Sequence, residues 1–377
     1  MMAAFDDVVT EPGVTRSAVE AHLAETGFEA KELRGGFTVL ASGGSSGERG
    51  IFVYSRDAAA RFVLGIVCPG VARMIALLGS LPDDPPPVAM VAAGSAVHAT
   101  RSLASLFAGD LMHLTSIAAT DPLPEIVARL NDLQPLLLQG YPSTIRHLAN
   151  EQTAGRLQIA PLSVTTSSEP LSADSRDRIG EAFGVGVCDQ FGSSEGLVGN
   201  SPPDHPIIVL ASDLCIVELV DTHGRPVPAG TASAKVLVTN LYNTVQPLIR
   251  YELTDAFTRR PDALSDGHVR VSVEGRSDDE LRWGTVVVHP LVVRTVMVKT
   301  PAVTEYQVHQ TPGGLDIACV TTADFDTEGT RARLAAGLQR AGLRDPEVTV
   351  RSTTAEQLLR HPVTGKTRRF IPLPPGR

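Results

Sequence analysis

Residues 275–284 read GRSDDELRWG, a charged run between Gly275 and Gly284, and they follow LIRYELTD at residues 248–255. Glycine frees the backbone, so a charged segment flanked by glycines is typical of a hinge between two domains. The length of 377 residues also favours two domains of unequal size over a single core or three domains. We therefore predict a large domain over residues 1–277 and a small mobile domain over residues 278–377.

The part of the chain before the hinge alternates between two hydrophobic patterns. Apolar strand candidates at residues 88–92, 136–139, 162–165 and 184–188 are separated by helical stretches at residues 57–78, 123–133, 143–152 and 172–183. Such alternation predicts βαβ units and a mainly parallel sheet. A short opening helix is expected over residues 16–25, with Ser17 and Glu20 at the spacing of a capping box.

The pattern becomes rich in β-strands after about Ile207. Strands are predicted at residues 214–220, 235–239 and 245–251, and they indicate a β-subdomain that closes the large domain. Beyond the hinge, strands at residues 303–309, 315–321 and 348–351 mix with helices at residues 290–298 and 327–341. The predicted fold class is therefore α/β, with a large N-terminal domain of mainly parallel sheets plus a β-subdomain, and a small α+β C-terminal lid domain.

Composition excludes several classes of function. The net charge is −9 and no stripe of Lys and Arg occurs, which argues against nucleic-acid binding. The four cysteines are far apart in the sequence, so neither a zinc cluster nor a disulfide framework is indicated. We find no cationic apolar leader and no run approaching the ~20 apolar residues that span a bilayer. A cytoplasmic protein without membrane partners is expected.

Residues 41–50 read ASGGSSGERG and lie between two short predicted strands. Glycines let the backbone approach an anion, and hydroxyl and N–H groups donate to phosphate oxygens. The loop lacks the Gly-Lys-Ser/Thr ending of a Walker loop, and an ordinary mobile turn is the alternative interpretation. The candidate phosphate-binding residues are Ser42, Gly43, Ser45, Ser46 and Gly47.

Residues 189–196 read DQFGSSEG and follow a predicted strand, where ligands bind in open α/β sheets. Phe191 offers an aromatic face for a base, and Ser194 offers a hydroxyl for a phosphate. Glu195 offers a carboxylate for Mg²⁺. A polar connection with one buried Phe is the alternative. Asp189 and Gly192 belong to the same candidate site.

Four further side chains have chemistry that suits a nucleotide and an acid. Asp255 could accept both hydroxyls of a ribose, and Arg276 could pair with phosphate, although a turn Asp and a surface salt bridge are common alternatives. Lys366 lies after a glycine in a basic turn and could offset charge as a carboxylate attacks a phosphate. His98 follows a predicted strand and could face an acid substrate, or could be a core histidine.

Together these segments resemble the adenylate-forming superfamily of acyl-CoA synthetases, most closely its phenylacetate-CoA ligase-like branch. The resemblance runs from about Phe37 to Phe370 in matching order. It implies that Ser168, Glu169 and Pro170 line the adenine pocket, that Phe191 stacks on the base and that Ser194 touches the α-phosphate. It further implies Glu195 as the Mg²⁺ ligand, Asp255 on the ribose, Arg276 on the nucleotide, Asp278 as the hinge and Lys366 as the lid lysine. Tyr141, His98 and Gly192 would contact the acid.

The sequence departs from that family at several points. Phe191 replaces a usual Tyr, Glu48-Arg49 stands where a Lys often follows the phosphate loop, and Arg282-Trp283 replaces a Lys and an aliphatic residue. The phosphate loop also begins only about forty residues into the chain.

The resemblance implies activation of a small, aryl carboxylic acid by Mg·ATP to acyl-AMP with release of pyrophosphate, followed by transfer to CoA. Two alternatives stay open. The acyl group could pass to a carrier-protein pantetheine or directly to an amine or hydroxyl, or the chain could be an inactive nucleotide-binding scaffold. The expected cofactors are ATP and Mg²⁺, with CoA as the first candidate acceptor, and a homodimer is compatible with the sequence.

Overall fold

The computed structural model describes residues 2–26, 31–41, 50–80, 82–92, 112–169, 171–253, 255–261, 266–274, 281–288, 290–300, 302–321, 325–359 and 369–373. Five sheets occur within these residues. The architecture is mixed α/β, as the sequence predicts.

The largest sheet has nine strands and is half parallel and half antiparallel. Its spatial order is β13-β14-β9-β8-β7-β6-β5-β3-β4. The parallel strands are β3 Pro87–Ala92, β4 His113–Ala118, β5 Leu137–Gly140, β6 Ser163–Ser167 and β7 Val187–Gly192. The antiparallel strands are β8 Val198–Asn200, β9 Ile208–Leu210, β13 Ala256–Arg259 and β14 Arg270–Glu274. The predicted parallel sheet is therefore extended by a second, antiparallel half.

Three helices pack on one face of the parallel half. They are α4 Leu123–Leu133, α5 Pro142–Thr153 and α6 Ala173–Phe183, and Ile126, Leu148 and Ile179 are among their buried contacts with the sheet. This crossover arrangement places the carboxyl ends of β5, β6 and β7 at one edge, which is where connections that carry ligand-binding residues gather.

Helix α3 Arg56–Leu78 lies on the opposite face and contains Pro69. A proline inside a helix cannot donate to the carbonyl four residues earlier, which here is Gly65. The Asn200 amide on β8 takes this place and donates to the Gly65 carbonyl at 3.4 Å. Nearby, the Gln190 amide on β7 donates to the Ile66 carbonyl at 3.0 Å.

Helix α3 also differs from the sequence-based expectation that no segment is long and apolar enough to cross a membrane. It spans 23 residues and contains an 18-residue window of mean hydropathy 1.8. Leu64 is 53% exposed and Leu77 is 55% exposed. One such helix is weak evidence of a membrane span, because helices of soluble proteins meet the same length and composition criteria.

Two smaller sheets flank the large one. Strands β1 Phe37–Ala41 and β2 Ile51–Ser55 form an antiparallel pair, which packs with helices α1 Phe5–Val8 and α2 Arg16–Glu25. The N-cap of α2 is Thr15, whose hydroxyl accepts from Ala18 N, so the predicted capping box at Ser17 is wrong. Strands β10 Cys215–Val220, β11 Lys235–Asn240 and β12 Tyr251–Leu253 form the second sheet.

The predicted strand at residues 245–251 is wrong except at its last residue. Strand β12 begins at Tyr251, and the preceding residues are not part of a strand. The apolar pattern there is misleading because this stretch bonds to β2 through side-chain amides, and Pro247 has no N–H to offer a strand partner.

The C-terminal region has its own core. Strands β15 Leu281–Trp283 and β16 Val286–Val288 pair together, and β17 Val303–Thr311, β18 Gly314–Thr321, β19 Glu347–Ser352 and β20 Phe370–Ile371 form a four-stranded sheet. Helices α7 Leu291–Val298 and α8 Thr327–Arg340 pack on it, and Leu281, Leu334 and Phe370 join one buried cluster. The proposed boundary at residues 277/278 lies outside the described residues, so the division into domains stays a prediction.

Candidate active site

The turn between β7 and β8 lies at the carboxyl end of the parallel strands. Gly196 N donates to Ser193 O at 3.0 Å and Ser193 N donates to Leu197 O at 2.9 Å, which folds residues 193–197 into a tight hairpin. Gly196 has φ of +98°, a backbone conformation that favours glycine. The predicted site residues Ser194 and Glu195 therefore lie in the hairpin between β7 and β8, whose backbone conformation these hydrogen bonds restrict.

Glu195 is the most electrostatically perturbed carboxyl of the predicted site. Its pKa is raised to about 7, mainly by burial and in smaller part by the neighbouring Asp255 carboxylate, while its own backbone N–H and the Ser193 hydroxyl act in the opposite direction. Asp255 itself is exposed. Two carboxylates far apart in sequence therefore come close together, one partly buried and one open to solvent.

The Glu195 carboxylate could hold a divalent cation. Mg²⁺ is commonly held by one or two carboxylates together with substrate phosphates, so a complete protein cage is not required. Within the described part of the chain, no group of three or more His, Cys, Asp and Glu side chains converges on a metal position. Glu195 could therefore hold a metal that a bound nucleotide also contacts through its phosphates.

Phe191 and Phe257, which contact each other, lie four residues before Glu195 and two residues after Asp255 in the sequence. The Phe191 ring is partly buried and makes an edge-to-face contact with Phe257 on β13, with 5.1 Å between the ring centroids. The residue after Phe191, Gly192, is exposed, and a Cβ built on it would meet no atom of the described structure within 4 Å. Among the described residues, nothing covers Gly192 at the end of the strand, and the adjacent Phe191 ring packs against the core.

Both the side chain and the backbone N–H of Asp189 on β7 are hydrogen-bonded to neighbouring residues. Its Oδ1 accepts from the Thr166 hydroxyl at 2.9 Å, and its backbone N–H donates to the Ser201 hydroxyl at 2.8 Å. Burial raises the pKa of this carboxyl, against the lowering effect of the Thr166 bond. A direct role for Asp189 with the nucleotide stays a prediction.

A hydrogen bond connects the segment predicted to bind adenine with the segment predicted to bind the acid. Ser143 N, in the first turn of α5, donates to Glu169 Oε2 at 3.2 Å. The neighbouring Ser168 has φ of +68°, which is uncommon outside glycine. Tyr141 is 4% exposed and packs with Met90 and Ala92. Ser168, Glu169 and Tyr141 thus belong to one connected region, and their contacts with ligands stay predictions.

A cleft of about 860 Å³ lies between α3 and the sheet. Its floor includes Val88, Leu137, Ser163 and Cys188, which stand at or near the start of their strands. The Gln139 amide on this floor donates to Gln190 Oε1 at 3.0 Å. The cleft therefore covers the amino-terminal half of the strands, whereas the turn of residues 193–197 lies at the carboxyl end.

Several predicted site residues lie outside the described residues, and their roles stay predictions. They are Ser42, Gly43, Ser45, Ser46 and Gly47 of the Gly/Ser loop, together with His98, Pro170, Arg276, Asp278 and Lys366. Arg250, in the LIRYELTD segment at residues 248–255, pairs through Nε with Glu218 Oε2 at 2.9 Å on an exposed surface.

Sequence reasoning missed three buried side chains that contact the turn: Tyr54, Asn240 and Tyr242. They come from β2, the end of β11 and the following loop. No local pattern marks them, because each reaches the turn only through the tertiary fold. The sequence feature that points to these contacts is Gly196, because a glycine after Glu195 is consistent with a turn that has no room for a side chain.

No protein-family model matches the chain. Protein CapK from Staphylococcus aureus is 28% identical over 135 residues, which cover 34% of this chain and 28% of that protein. The match thus spans well under two thirds of the relative.

Solved structures match over most of the chain. A 2-hydroxyisobutyryl-CoA ligase in complex with 2-HIB-AMP and CoA in the thioesterification state is 20% identical with a TM-score of 0.53, over 89% of this chain and 74% of that one. An open conformation of the same ligase gives a TM-score of 0.51 at 20% identity, over 97% and 82%. The amide bond synthetase McbA from Marinactinospora thermotolerans gives 0.50 at 16% identity, over 88% and 67%. The chain therefore has the fold of the adenylate-forming ligases, to which acyl-CoA ligases belong.

Proposed function

We propose that the chain activates a carboxylic acid with Mg·ATP to form an acyl-AMP and pyrophosphate. The observation that carries this proposal is the convergence of Phe191, Glu195 and Asp255 at the open carboxyl end of the parallel strands. The fold of ligases crystallised with acyl-AMP supports the same chemistry.

In the first step, a carboxylate oxygen of the acid bonds to the α-phosphorus of ATP. The bond from that phosphorus to the oxygen bridging the β-phosphate breaks, and pyrophosphate leaves with the electron pair. Such displacement depends on alignment and charge stabilisation more than on covalent catalysis by side chains.

Each described residue has a role that its position allows. The Phe191 ring, held against Phe257, presents an aromatic surface to the adenine, and exposed Asp255 accepts the ribose hydroxyls. Glu195 would hold Mg²⁺, and the bound metal would neutralise phosphate charge. Lys366 lies outside the described residues, and the sequence resemblance alone suggests that it would offset the charge that develops as the carboxylate attacks.

The second step transfers the acyl group to a thiol. The sulfur attacks the acyl carbon, the bond from that carbon to the phosphate oxygen breaks, and AMP leaves. We propose CoA as the thiol, a small aryl acid as the substrate and the cytoplasm as the compartment. A phenylacetate-CoA ligase-like specificity rests on the sequence resemblance.

The test is acid-dependent release of pyrophosphate across a panel of aryl and short aliphatic acids. Wild-type protein should release pyrophosphate with at least one acid, and Lys366→Ala should lower this rate at least ~100-fold. Lys235→Ala is the matched control, because Lys235 is an exposed lysine on β11 paired with Glu252 at 2.8 Å. ATP binding without pyrophosphate release for every acid would favour an inactive scaffold.

The acceptor is identified in a second set of reactions. Adding CoA, a pantetheine-loaded carrier protein or a primary amine to an active acid should give a product of distinct mass in only one reaction. A CoA thioester supports the proposed ligase, whereas an amide or a loaded carrier protein supports the alternative acceptors.

A further inference from the structure

Three consecutive carbonyl groups of the Glu195 turn accept hydrogen bonds from buried side chains. The Tyr54 hydroxyl donates to Ser194 O at 2.6 Å, the Asn240 amide to Glu195 O at 3.0 Å and the Tyr242 hydroxyl to Gly196 O at 2.7 Å. Most turns leave such carbonyls to solvent. Here the main chain on both sides of Glu195 is bonded on its inner side, so the turn has little freedom to rotate.

The donors also fill the space around the turn. A Cβ on Gly196 would lie 2.3 Å from Asn240 Nδ2 and 2.5 Å from the Tyr242 hydroxyl. The rings of Tyr54 and Tyr242 lie face to face with centroids 6.5 Å apart, and Tyr54 is fully buried. Burial raises the pKa of both phenols, so they stay neutral donors across the accessible pH range.

The loop after β11, which carries Tyr242, is also hydrogen-bonded to β2. The Asn243 amide donates to Val53 O at 2.9 Å, and Val53 N donates to Gln246 Oε1 at 2.8 Å. The Gln246 amide also donates to Ile51 O at 3.1 Å. Asn243 is 3% exposed and Gln246 is fully buried. These amides satisfy β2 where a third strand would otherwise pair, since its other edge pairs with β1.

Residues 240–246, which we name the polar clamp, therefore bind two separate elements. One end holds the Glu195 turn and the other holds β2, which itself supplies Tyr54 to the turn. Asn240 also closes the loop, because its Oδ1 accepts from Tyr242 N at 3.0 Å and from Asn243 N at 2.9 Å. Burying amide groups is costly unless they are hydrogen-bonded. Among the side-chain amide groups of Asn240, Asn243 and Gln246, all but Asn243 Oδ1 have a partner within the described residues. These bonds restrict the distance between the turn and β2.

We propose that the polar clamp and Tyr54 are positioning residues that fix the Glu195 carboxyl in the geometry needed for Mg·ATP. This inference rests on the proposed function for its ligand but not for its geometry. None of these residues is assigned a contact with substrate. They act through the main chain of the turn.

The variants Tyr54→Phe and Tyr242→Phe each remove one donor and keep the ring. Tyr306→Phe is the matched control, because Tyr306 is a buried phenol of the C-terminal region whose hydroxyl has no hydrogen-bond partner within the described residues. Titration calorimetry would compare ATP with Mg²⁺ and ATP with EDTA. Each site variant should weaken Mg·ATP binding about 10-fold while metal-free ATP binding stays within about 2-fold, and the control should change neither.

Hydrogen exchange of the amides of residues 193–197 provides a readout independent of nucleotide. Exchange should rise about 10-fold in Tyr54→Phe and Tyr242→Phe and stay unchanged in Tyr306→Phe. If wild-type protein binds no ATP, the proposed function fails, and exchange alone decides whether the clamp holds the turn. Unchanged exchange, or equal loss of metal-free and metal-bound ATP affinity, would overturn the positioning role. If a Phe variant does not fold, the other variant is measured in its place.

Discussion

The raised pKa of Glu195 predicts a specific dependence of stability on pH. The carboxyl has an ordinary pKa near 4.5 and a pKa of about 7 in the folded protein. Between these values the folded state binds more protons than the unfolded state, so the free energy of unfolding falls as pH rises. At pH values below both pKa values the carboxyl is protonated in both states, so it causes no loss in the free energy of unfolding.

The magnitude follows from the two pKa values. Proton linkage gives a loss of about 2.5 kcal/mol in the free energy of unfolding between about pH 5 and about pH 8 from this group alone. Glu195→Gln cannot ionise and escapes this loss. Relative to wild type, the variant should gain about 2.5 kcal/mol over the same interval, because the titration of groups that do not interact with Glu195 cancels in the comparison.

Urea unfolding followed by far-ultraviolet circular dichroism measures this difference. Both proteins are unfolded at each pH in EDTA, so that no divalent cation offsets the charge on Glu195. Glu181→Gln is the matched control because Glu181 is an exposed carboxylate on α6. A difference between wild type and Glu195→Gln that is the same at both pH values within about 0.5 kcal/mol would refute the reasoning.

Three substitutions test other parts of the structure by denaturant unfolding. Gly196→Ala should destabilise by at least about 3 kcal/mol, because positive φ and contact with the Tyr242 hydroxyl both disfavour a Cβ; a loss below about 1 kcal/mol would contradict this crowding. Gly140→Ala should cost about 2 kcal/mol, since its Cβ would lie 2.7 Å from Val91 O, and an unchanged midpoint would contradict it. Trp283→Phe should cost about 1 kcal/mol by removing the 2.8 Å bond to Thr311 O, whereas an equally stable variant would show that the bond contributes nothing.

Local patterns predicted three of the five parallel strands of the large sheet closely, whereas β4 was not predicted and β7 begins three residues after its predicted start at residue 184. The helix predicted at residues 123–133 is α4 as observed, and strands β3, β5 and β6 lie within a residue or two of their predicted ends. These elements carry a clear apolar period, which depends only on neighbours in sequence. The antiparallel half was not predicted, because β8 and β9 have three residues each and gain stability only from distant partners.

Part of the candidate site could also be predicted. The sequence placed Phe191, Gly192, Ser194 and Glu195 after a strand ending at residue 188. This is right for Ser194 and Glu195, which lie in the turn after β7, and wrong for Phe191 and Gly192, which are the last two residues of β7. It did not predict that Asp189 bonds to Thr166 or that Arg250 pairs with Glu218. Which partner a polar side chain selects depends on packing between elements, and residue type alone does not specify it.

By itself, then, the amino-acid sequence determined where helices and strands of strong period form and which glycines and carboxylates stand at their ends. Only the tertiary structure decided that Asn243 bonds to Val53, 190 positions away, and that Tyr54 reaches Ser194 across 140 positions. The physical reason is that the apolar period of a segment depends only on which of its residues face a core. A hydrogen bond between distant segments forms only when the packing of the cores brings those segments to the right distance from each other.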